Sequence, residues 1–273
     1  MAGCLLLAGC ATATPGPSIT TTAFGVAEQI PVTASRPDGG GPFPAVVVMH
    51  DCSGLGPGSS GAPGRWAKEL VARGYVVVIP DSFSSRGLAG GVCTVPLSDR
   101  RANVSPERRA GDAYAALAYA RSLPYVDGRR VGIMGGSHGG STTLATMATP
   151  ARGAERAGFA AAVALYPRCG TYPGVYRPVA PVLILIGEKD DWTPAELCRK
   201  LVEAARSAGG PVTIKVYPGA HHSFDSPNPV RYVATRINPH AAGGRGATTG
   251  GDPAAWADSI REVLAFFAQH LNR

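Results

Sequence analysis

The sequence lacks a long apolar run, a clustered basic face and a metal-binding motif, and each absence excludes a class of function. The apolar run at residues 5–10 is far shorter than the ~20 residues that a helix needs to cross a bilayer. The formal net charge is +7, but the arginines that carry most of it are scattered along the chain. This pattern indicates a solvated basic surface, or mild attraction of anionic substrates, rather than a nucleic-acid interface. No cluster of Cys, His and Asp has metal-ligand spacing, so we expect neither a metal nor a cofactor.

Solidly apolar segments alternate with helical patterns along the chain, which predicts an α/β fold. Most of these segments are apolar throughout, as expected for a mostly parallel central sheet with helices on both faces. An antiparallel strand pair is predicted at the sheet edge within 20–36, and a closing helix over 252–269. We expect a single domain over residues 19–273. The predicted central strands are 45–49, 75–80, 130–134, 159–165, 181–186 and 212–217.

The pentapeptide Gly135-Gly136-Ser137-His138-Gly139 lies between a predicted strand and a helix-forming segment. A serine on such a sharp turn needs glycine neighbours, because the strand and the helix must approach closely. The turn lifts the hydroxyl out of the sheet, and the helix N-terminus behind it offers N–H groups to a developing oxyanion. Ser137 is therefore the predicted nucleophile, and a plain glycine-rich turn is the alternative.

A serine nucleophile requires a base and an acid that orients the base. Two acids, Asp190 and Asp191, lie in the loop after the predicted strand 181–186. We predict Asp190 as the acid, and either residue could instead be a solvated charge near a helix N-terminus. The residues Thr-Pro-Ala-Glu at 193–196 predict a capping box with Pro194 at the first helical position.

The base is expected in the loop after the predicted strand 212–217, which contains His221 and His222. We predict His222 as the base. The alternatives are loop histidines without a role and a metal site, but no ligand cluster supports the metal site.

The oxyanion hole is expected to use two backbone N–H groups. One is that of His138, directly after the nucleophile. The other comes from the loop after strand 45–49, where Cys52 is the best candidate. His50 and Asp51 could be a catalytic pair, but we interpret them as residues that shape this loop.

Five segments together resemble the dienelactone hydrolase family over roughly residues 20–273. The resemblance implies an α/β-hydrolase fold, a triad of Ser137, Asp190 and His222, and oxyanion donors at Cys52 and His138. The matching segments are 50–55, 80–87, 135–140, 187–194 and 219–224.

The founding members of that family differ from this chain at two positions. They carry cysteine where Ser137 stands and glutamate where Asp51 stands, and the serine favours a more general esterase chemistry. The family's arginine for the substrate carboxylate falls near Arg86. Asp51, Arg86 and Trp192 are therefore the candidate substrate-binding residues, with Trp192 as an apolar lining. The long Gly/Ser/Pro-rich connections 82–105 and 225–252 are expected to wall the pocket.

The N-terminus resembles the end of a bacterial lipoprotein signal, with Leu-Leu-Leu-Ala-Gly-Cys at 5–10. This predicts lipidation of Cys10, a truncated signal and tether over 1–18, and export as a cell-envelope lipoprotein or as a periplasmic or extracellular protein. The alternative is a short disordered apolar terminus.

Export would place the four cysteines after Cys10, which are Cys52, Cys93, Cys169 and Cys198, in an oxidising compartment, where disulfides form. Four cysteines allow three pairings, and connectivity does not follow from sequence alone. We predict Cys52–Cys93 and Cys169–Cys198, and the alternative is four reduced, buried thiols.

These observations predict a serine hydrolase that cleaves small carboxylic esters or lactones through an acyl-enzyme. No nucleic-acid partner is expected, and a membrane tether would depend on Cys10. One alternative is a peptidase or acyltransferase on the same fold, because the fold does not fix the acyl group. The other is a non-catalytic cell-envelope binding protein with a dead triad.

Overall fold

The computed structural model describes residues 16–23, 25–96, 104–148, 158–170, 172 and 174–272. Within these ranges the chain forms an eight-stranded sheet, a separate two-stranded sheet and five α-helices. The strands are β1 (Ser18–Ala23), β2 (Val26–Ser35), β3 (Phe43–Met49), β4 (Val76–Pro80), β5 (Val126–Gly136), β6 (Ala162–Leu165), β7 (Val182–Gly187), β8 (Val212–Tyr217), β9 (Arg231–Ile237) and β10 (Arg245–Thr249). The helices are α1 (Ala62–Val71), α2 (Pro106–Ser122), α3 (His138–Met147), α4 (Ala195–Ser207) and α5 (Pro253–Leu271).

The large sheet has the strand order β1-β2-β4-β3-β5-β6-β7-β8. Strands β3 to β8 are parallel, and β1 and β2 form the antiparallel pair predicted at one edge. The central strands are apolar throughout because they are covered on both faces; residues 45–49 of β3 are all buried. The carboxyl ends of the parallel strands lie at one edge, so the loops that follow β3, β5, β7 and β8 meet there.

A polar cap sets where helix α5 begins. Asp252 precedes α5 and accepts hydrogen bonds from the backbone N–H groups of Ala254 and Ala255, and Pro253 fills the first helical position. The predicted capping box at 193–196 is wrong. Helix α4 begins at Ala195, and Pro194 precedes it without a side-chain cap. The hydroxyl of Thr193 is used in the site instead.

The connection 225–252 contains a β-hairpin, β9–β10, that the sequence analysis did not predict. Its burial is uneven, and Tyr232 is 65% exposed, so it lacks the solid apolar pattern of a buried strand. No helix among the described residues is long and apolar enough to span a bilayer.

Candidate active site

Ser137 lies on the turn between β5 and α3. Its φ of 54° and ψ of −116° place it in a conformation that side chains rarely adopt. The turn brings α3 against the end of β3, where a Cβ at Gly139 would overlap the carbonyl oxygen of Met49. Glycine is therefore required at this crossing, and the tight approach lifts the serine to the carboxyl edge of the sheet.

The side chains of Ser137, His222 and Asp190 form a continuous hydrogen-bonded series. His222 Nε2 lies 2.9 Å from Ser137 Oγ, and His222 Nδ1 lies 2.8 Å from Asp190 Oδ2. All three residues are buried, at 9%, 0% and 4% exposure respectively. The structure thus brings together three residues from the loops after β5, β7 and β8, in the geometry of a nucleophile, a base and an orienting acid.

The Asp190 carboxylate is held on both oxygens. Oδ1 accepts from the backbone N–H groups of Trp192 and Thr193, at 3.0 and 2.8 Å. Oδ2 faces His222 and also lies 2.9 Å from the hydroxyl of Thr193, which lies 3.1 Å from His222 Nδ1. The acid is therefore fixed by its own loop, and Thr193 is a site residue that the sequence analysis assigned to a helix cap.

Asp191, the competing acid, has a different role. Its carboxylate accepts from the N–H and the hydroxyl of Thr248 in β10, at 2.8 and 2.7 Å. The same hairpin accepts a hydrogen bond from Trp192 Nε1 at the carbonyl of Ile237 (2.8 Å), and its far end, Gly250, donates to the carbonyl of His222 (3.0 Å). The hairpin therefore links the loop of Asp190 to the loop of His222.

Aromatic rings enclose the imidazole of His222. The rings of Tyr166 and Trp192 lie 4.8 and 4.7 Å from it, centroid to centroid. Tyr166 was not predicted, and its hydroxyl donates to the buried Asp225 (2.8 Å). This packing leaves the His222 side chain fully buried. His221 instead lies with Nδ1 3.0 Å from the carbonyl of Lys189.

A cavity of about 330 Å³ opens at Ser137. Cys52 and His138, the predicted oxyanion donors, both line it. Apolar side chains at Trp192, Tyr172 and Ile237 form part of its wall, so the structure places Trp192 where the sequence predicted a lining residue. Among the described residues, no group of three His, Cys, Asp or Glu side chains could hold a metal ion.

The loop after β3 is held by His50 and Asp51. The buried His50 ring contacts the carbonyl of Asp51 through Nδ1 (2.9 Å) and accepts from the N–H of Ser82 through Nε2 (3.1 Å). Burial and the nearby Arg109 hold the pKa of His50 well below its usual value, so the ring is neutral. Asp51 accepts from Ser53 and from the hydroxyl of Ser60, and it lines a second, polar cavity instead of the cavity at Ser137.

Arg86 lies outside the cavity at Ser137. Its guanidinium binds Asp112 through two hydrogen bonds of 2.7 and 2.8 Å, and it also binds Glu28 and the carbonyl of Ser82. The side chains of Arg86 and Asp112 are 5% and 0% exposed. The expectation that Arg86 binds a substrate carboxylate therefore does not fit the structure, because two buried or half-buried carboxylates of the protein already occupy the fork.

Replacing Arg86 by alanine is expected to destabilise the fold, because it leaves Asp112 as a buried carboxylate without its partner. We expect the free energy of unfolding to fall by about 3–5 kcal/mol, measured by urea denaturation. Arg129→Ala is the control: Arg129 also pairs with an aspartate, Asp127, but is 91% exposed, and its loss should change stability little. Wild-type stability of Arg86→Ala, with a selective loss of activity on anionic esters, would restore the substrate role.

Both predicted disulfides are present. Cys52 is bonded to Cys93 and Cys169 to Cys198. Disulfides are typical of proteins in oxidising, exported compartments. The first bond joins the loop of the predicted oxyanion donor to the connection after β4. Cys10, the predicted lipidation site, lies outside the described residues.

Comparison with known proteins finds relatives that cover most of this chain. A protein of Methylorubrum extorquens assigned as a carboxymethylenebutenolidase is 30% identical over 209 residues, which cover 71% of this chain and 68% of that protein. The carboxymethylenebutenolidase of Pseudomonas putida is 28% identical over 202 residues, covering 71% of this chain and 80% of the relative.

A crystal structure from Klebsiella pneumoniae assigned as a dienelactone hydrolase has the same fold. It superposes with a TM-score of 0.68 at 23% identity, covering 93% of this chain and 98% of that one. The model of the dienelactone hydrolase family matches residues 30–271. The chain therefore belongs to the dienelactone hydrolase family, with the α/β-hydrolase fold, and is a hydrolase of esters or lactones.

Proposed function

We propose that the protein cleaves carboxylic esters or lactones through a covalent acyl-serine intermediate. The observation that carries this proposal is the series from Ser137 Oγ through His222 to Asp190, with contacts of 2.9 and 2.8 Å. A serine hydroxyl is a weak nucleophile unless a base removes its proton as it attacks. His222 is placed for that transfer, and Asp190 stabilises the imidazolium that results.

The reaction would proceed in two halves. Ser137 Oγ attacks the carbonyl carbon while His222 Nε2 takes the hydroxyl proton, and the resulting oxyanion is bound by the backbone N–H groups of Cys52 and His138. The C–O bond of the ester then breaks, and His222 returns the proton to the leaving alcohol. Water attacks the acyl-enzyme by the same route and releases the acid and free Ser137. In a lactone, the acid and the alcohol remain one molecule.

The cavity supports substrates of modest size. A volume of about 330 Å³ lies at the lower end of the range for small-molecule sites. Its apolar wall at Trp192 and Tyr172 suits the acyl or alcohol portion of an ester. Glu107 and Arg168 also line it, so the part of the wall formed by described residues carries one group of each charge.

A panel of substrates tests the proposal. We expect p-nitrophenyl esters of short acids and simple lactones to be hydrolysed, with rates that fall as the acyl group outgrows the cavity. A matched p-nitroanilide of the same acid separates esterase from peptidase activity. Faster cleavage of the anilide, or no ester or lactone hydrolysis by folded protein, would contradict the proposal.

We further propose export with lipid attachment at Cys10, supported by the residues at 5–10 and by the two disulfides. Expression in a bacterial host, with a complete lipoprotein signal placed before Cys10, should give a membrane-bound form whose N-terminal peptide carries a diacylglyceryl group on Cys10. Mass spectrometry of that peptide, with Cys10→Ser as the control, measures this. An unmodified Cys10 in correctly exported protein would contradict lipidation.

A further inference from the structure

Arg109 is a fully buried arginine next to the proposed oxyanion hole. It lies on α2 and is 0% exposed. One of its terminal nitrogens, Nη1, lies 2.7 Å from His138 Nδ1, and the other, Nη2, donates to the carbonyl of His50 at 2.8 Å. Its guanidinium carbon lies 5.0 Å from the centre of the Phe83 ring, and that ring also packs against His50 and His138.

These contacts fix the protonation state of His138. A guanidinium only donates hydrogen bonds, so Nδ1 of His138 must be the acceptor. The ring proton is then on Nε2, and the imidazole is neutral. Burial lowers the pKa of Arg109 to about 10, which leaves it charged at neutral pH.

The charge of Arg109 has no salt-bridge partner within the described residues. Asp112, which also lies on α2, accepts hydrogen bonds from Arg86 on both carboxylate oxygens. The charges of Asp112, Asp51 and Asp81 raise the pKa of Arg109 and so offset part of the cost of burying it. A buried charge without a direct salt bridge beside the proposed active site points to a role in the reaction.

The two groups that Arg109 holds belong to the two segments of the proposed oxyanion hole. His138 follows Ser137 and opens α3, while His50 stands two residues before Cys52. One rigid, planar guanidinium therefore spans the two backbone segments whose N–H groups would bind the oxyanion. Their spacing decides whether both donors reach the same oxygen.

We propose that Arg109 is a positioning residue for the oxyanion hole: it sets the spacing of the Cys52 and His138 segments, and its positive charge favours the oxyanion of the transition state. This inference rests on the proposed serine mechanism. An interaction made mainly in the transition state acts on kcat and leaves KM nearly unchanged.

The test compares Arg109→Met, which removes both the charge and the two-armed guanidinium, with Arg109→Lys, which keeps only the charge. We expect kcat for a p-nitrophenyl ester to fall ~100-fold in Arg109→Met, which is the loss seen when one oxyanion donor is removed. The fall should be smaller in Arg109→Lys. KM should change little. Butylboronic acid forms a tetrahedral adduct with an active-site serine that resembles the transition state. Its inhibition should therefore weaken in parallel with kcat.

Arg121→Met is the matched control. Arg121 lies on the same helix and donates to two carbonyls, those of Gly128 and Gly158, away from the cavity. Its loss should leave kcat and boronate inhibition unchanged. Thermal melting of all variants separates misfolding from a catalytic defect, and if Arg109→Met fails to fold, Arg109→Lys carries the comparison.

Nitrogen NMR of the His138 ring gives a readout independent of turnover. The wild type should show the single neutral Nε2–H tautomer, because Nδ1 accepts from Arg109, whereas Arg109→Met should lose this tautomer preference. Folded Arg109 variants with the kcat, boronate affinity and ring state of Arg121→Met would overturn the inference. If Ser137→Ala kept full activity, the serine mechanism itself would fail, so the two failures are distinguishable.

Discussion

Replacing Ser137 by alanine is expected to lower kcat for ester hydrolysis by about a million-fold, as when the nucleophile of other catalytic triads is removed. The reason is that His222 Nε2 contacts the Ser137 hydroxyl at 2.9 Å, and without that oxygen no acyl-enzyme can form. Activity is measured with a short-chain p-nitrophenyl ester at saturating concentration, and KM is determined in the same titrations.

Ser122→Ala is the control for Ser137→Ala. Ser122 ends α2, and its hydroxyl donates to the carbonyl of Tyr119, so its loss should leave kcat unchanged. Circular dichroism and thermal melting establish that both variants are folded. Turnover within tenfold of the wild type in folded Ser137→Ala would refute its role as nucleophile.

Replacing Asp190 by asparagine is expected to lower kcat by about ten-thousand-fold, because the amide stabilises the wrong tautomer of the base. Asp190 Oδ1 already accepts from two backbone N–H groups, so the side-chain carbonyl oxygen of asparagine would occupy that position. Its NH₂ group would then face His222 Nδ1, which would become an acceptor. The proton would move to Nε2, where it prevents His222 from taking the proton of Ser137.

Asp191→Asn is the matched variant, because it makes the same chemical change one residue away. Asp191 binds Thr248 of the hairpin and does not contact the base. We expect a far smaller loss of kcat, with a lower melting temperature if the hairpin loosens. Equal losses in the two variants would show that the loop, not the acid, accounts for the effect.

Much of the site followed from where polar residues stand in the sequence. Ser137, Asp190 and His222 each follow a solidly apolar strand, and parallel strands place their carboxyl ends at one edge. The sequence analysis chose Asp190 over Asp191, but the contacts that distinguish these two residues of one loop could not be predicted from it. The difference lies with Thr248, 57 residues away, in a hairpin with no buried-strand pattern.

The arginines show where local sequence patterns fail to predict side-chain contacts. Arg108 and Arg109 are adjacent in sequence, but consecutive helical positions point in different directions. Arg108 therefore reaches Glu28 near the surface, while Arg109 is fully buried and contacts His138. The family resemblance placed a substrate-binding arginine near Arg86, yet the partners of Arg86, Glu28 and Asp112, are set by the fold. Charge pairing over such separations depends on tertiary structure.

Covalent labelling tests the central claim most directly. The folded protein is treated with a fluorophosphonate, digested, and the modified peptide is sequenced by mass spectrometry. We predict one phosphonyl group per chain, carried by Ser137, with labelling lost in both Ser137→Ala and His222→Ala. A modified residue other than Ser137, or no modification in protein that hydrolyses esters, would contradict a mechanism in which this serine attacks the substrate.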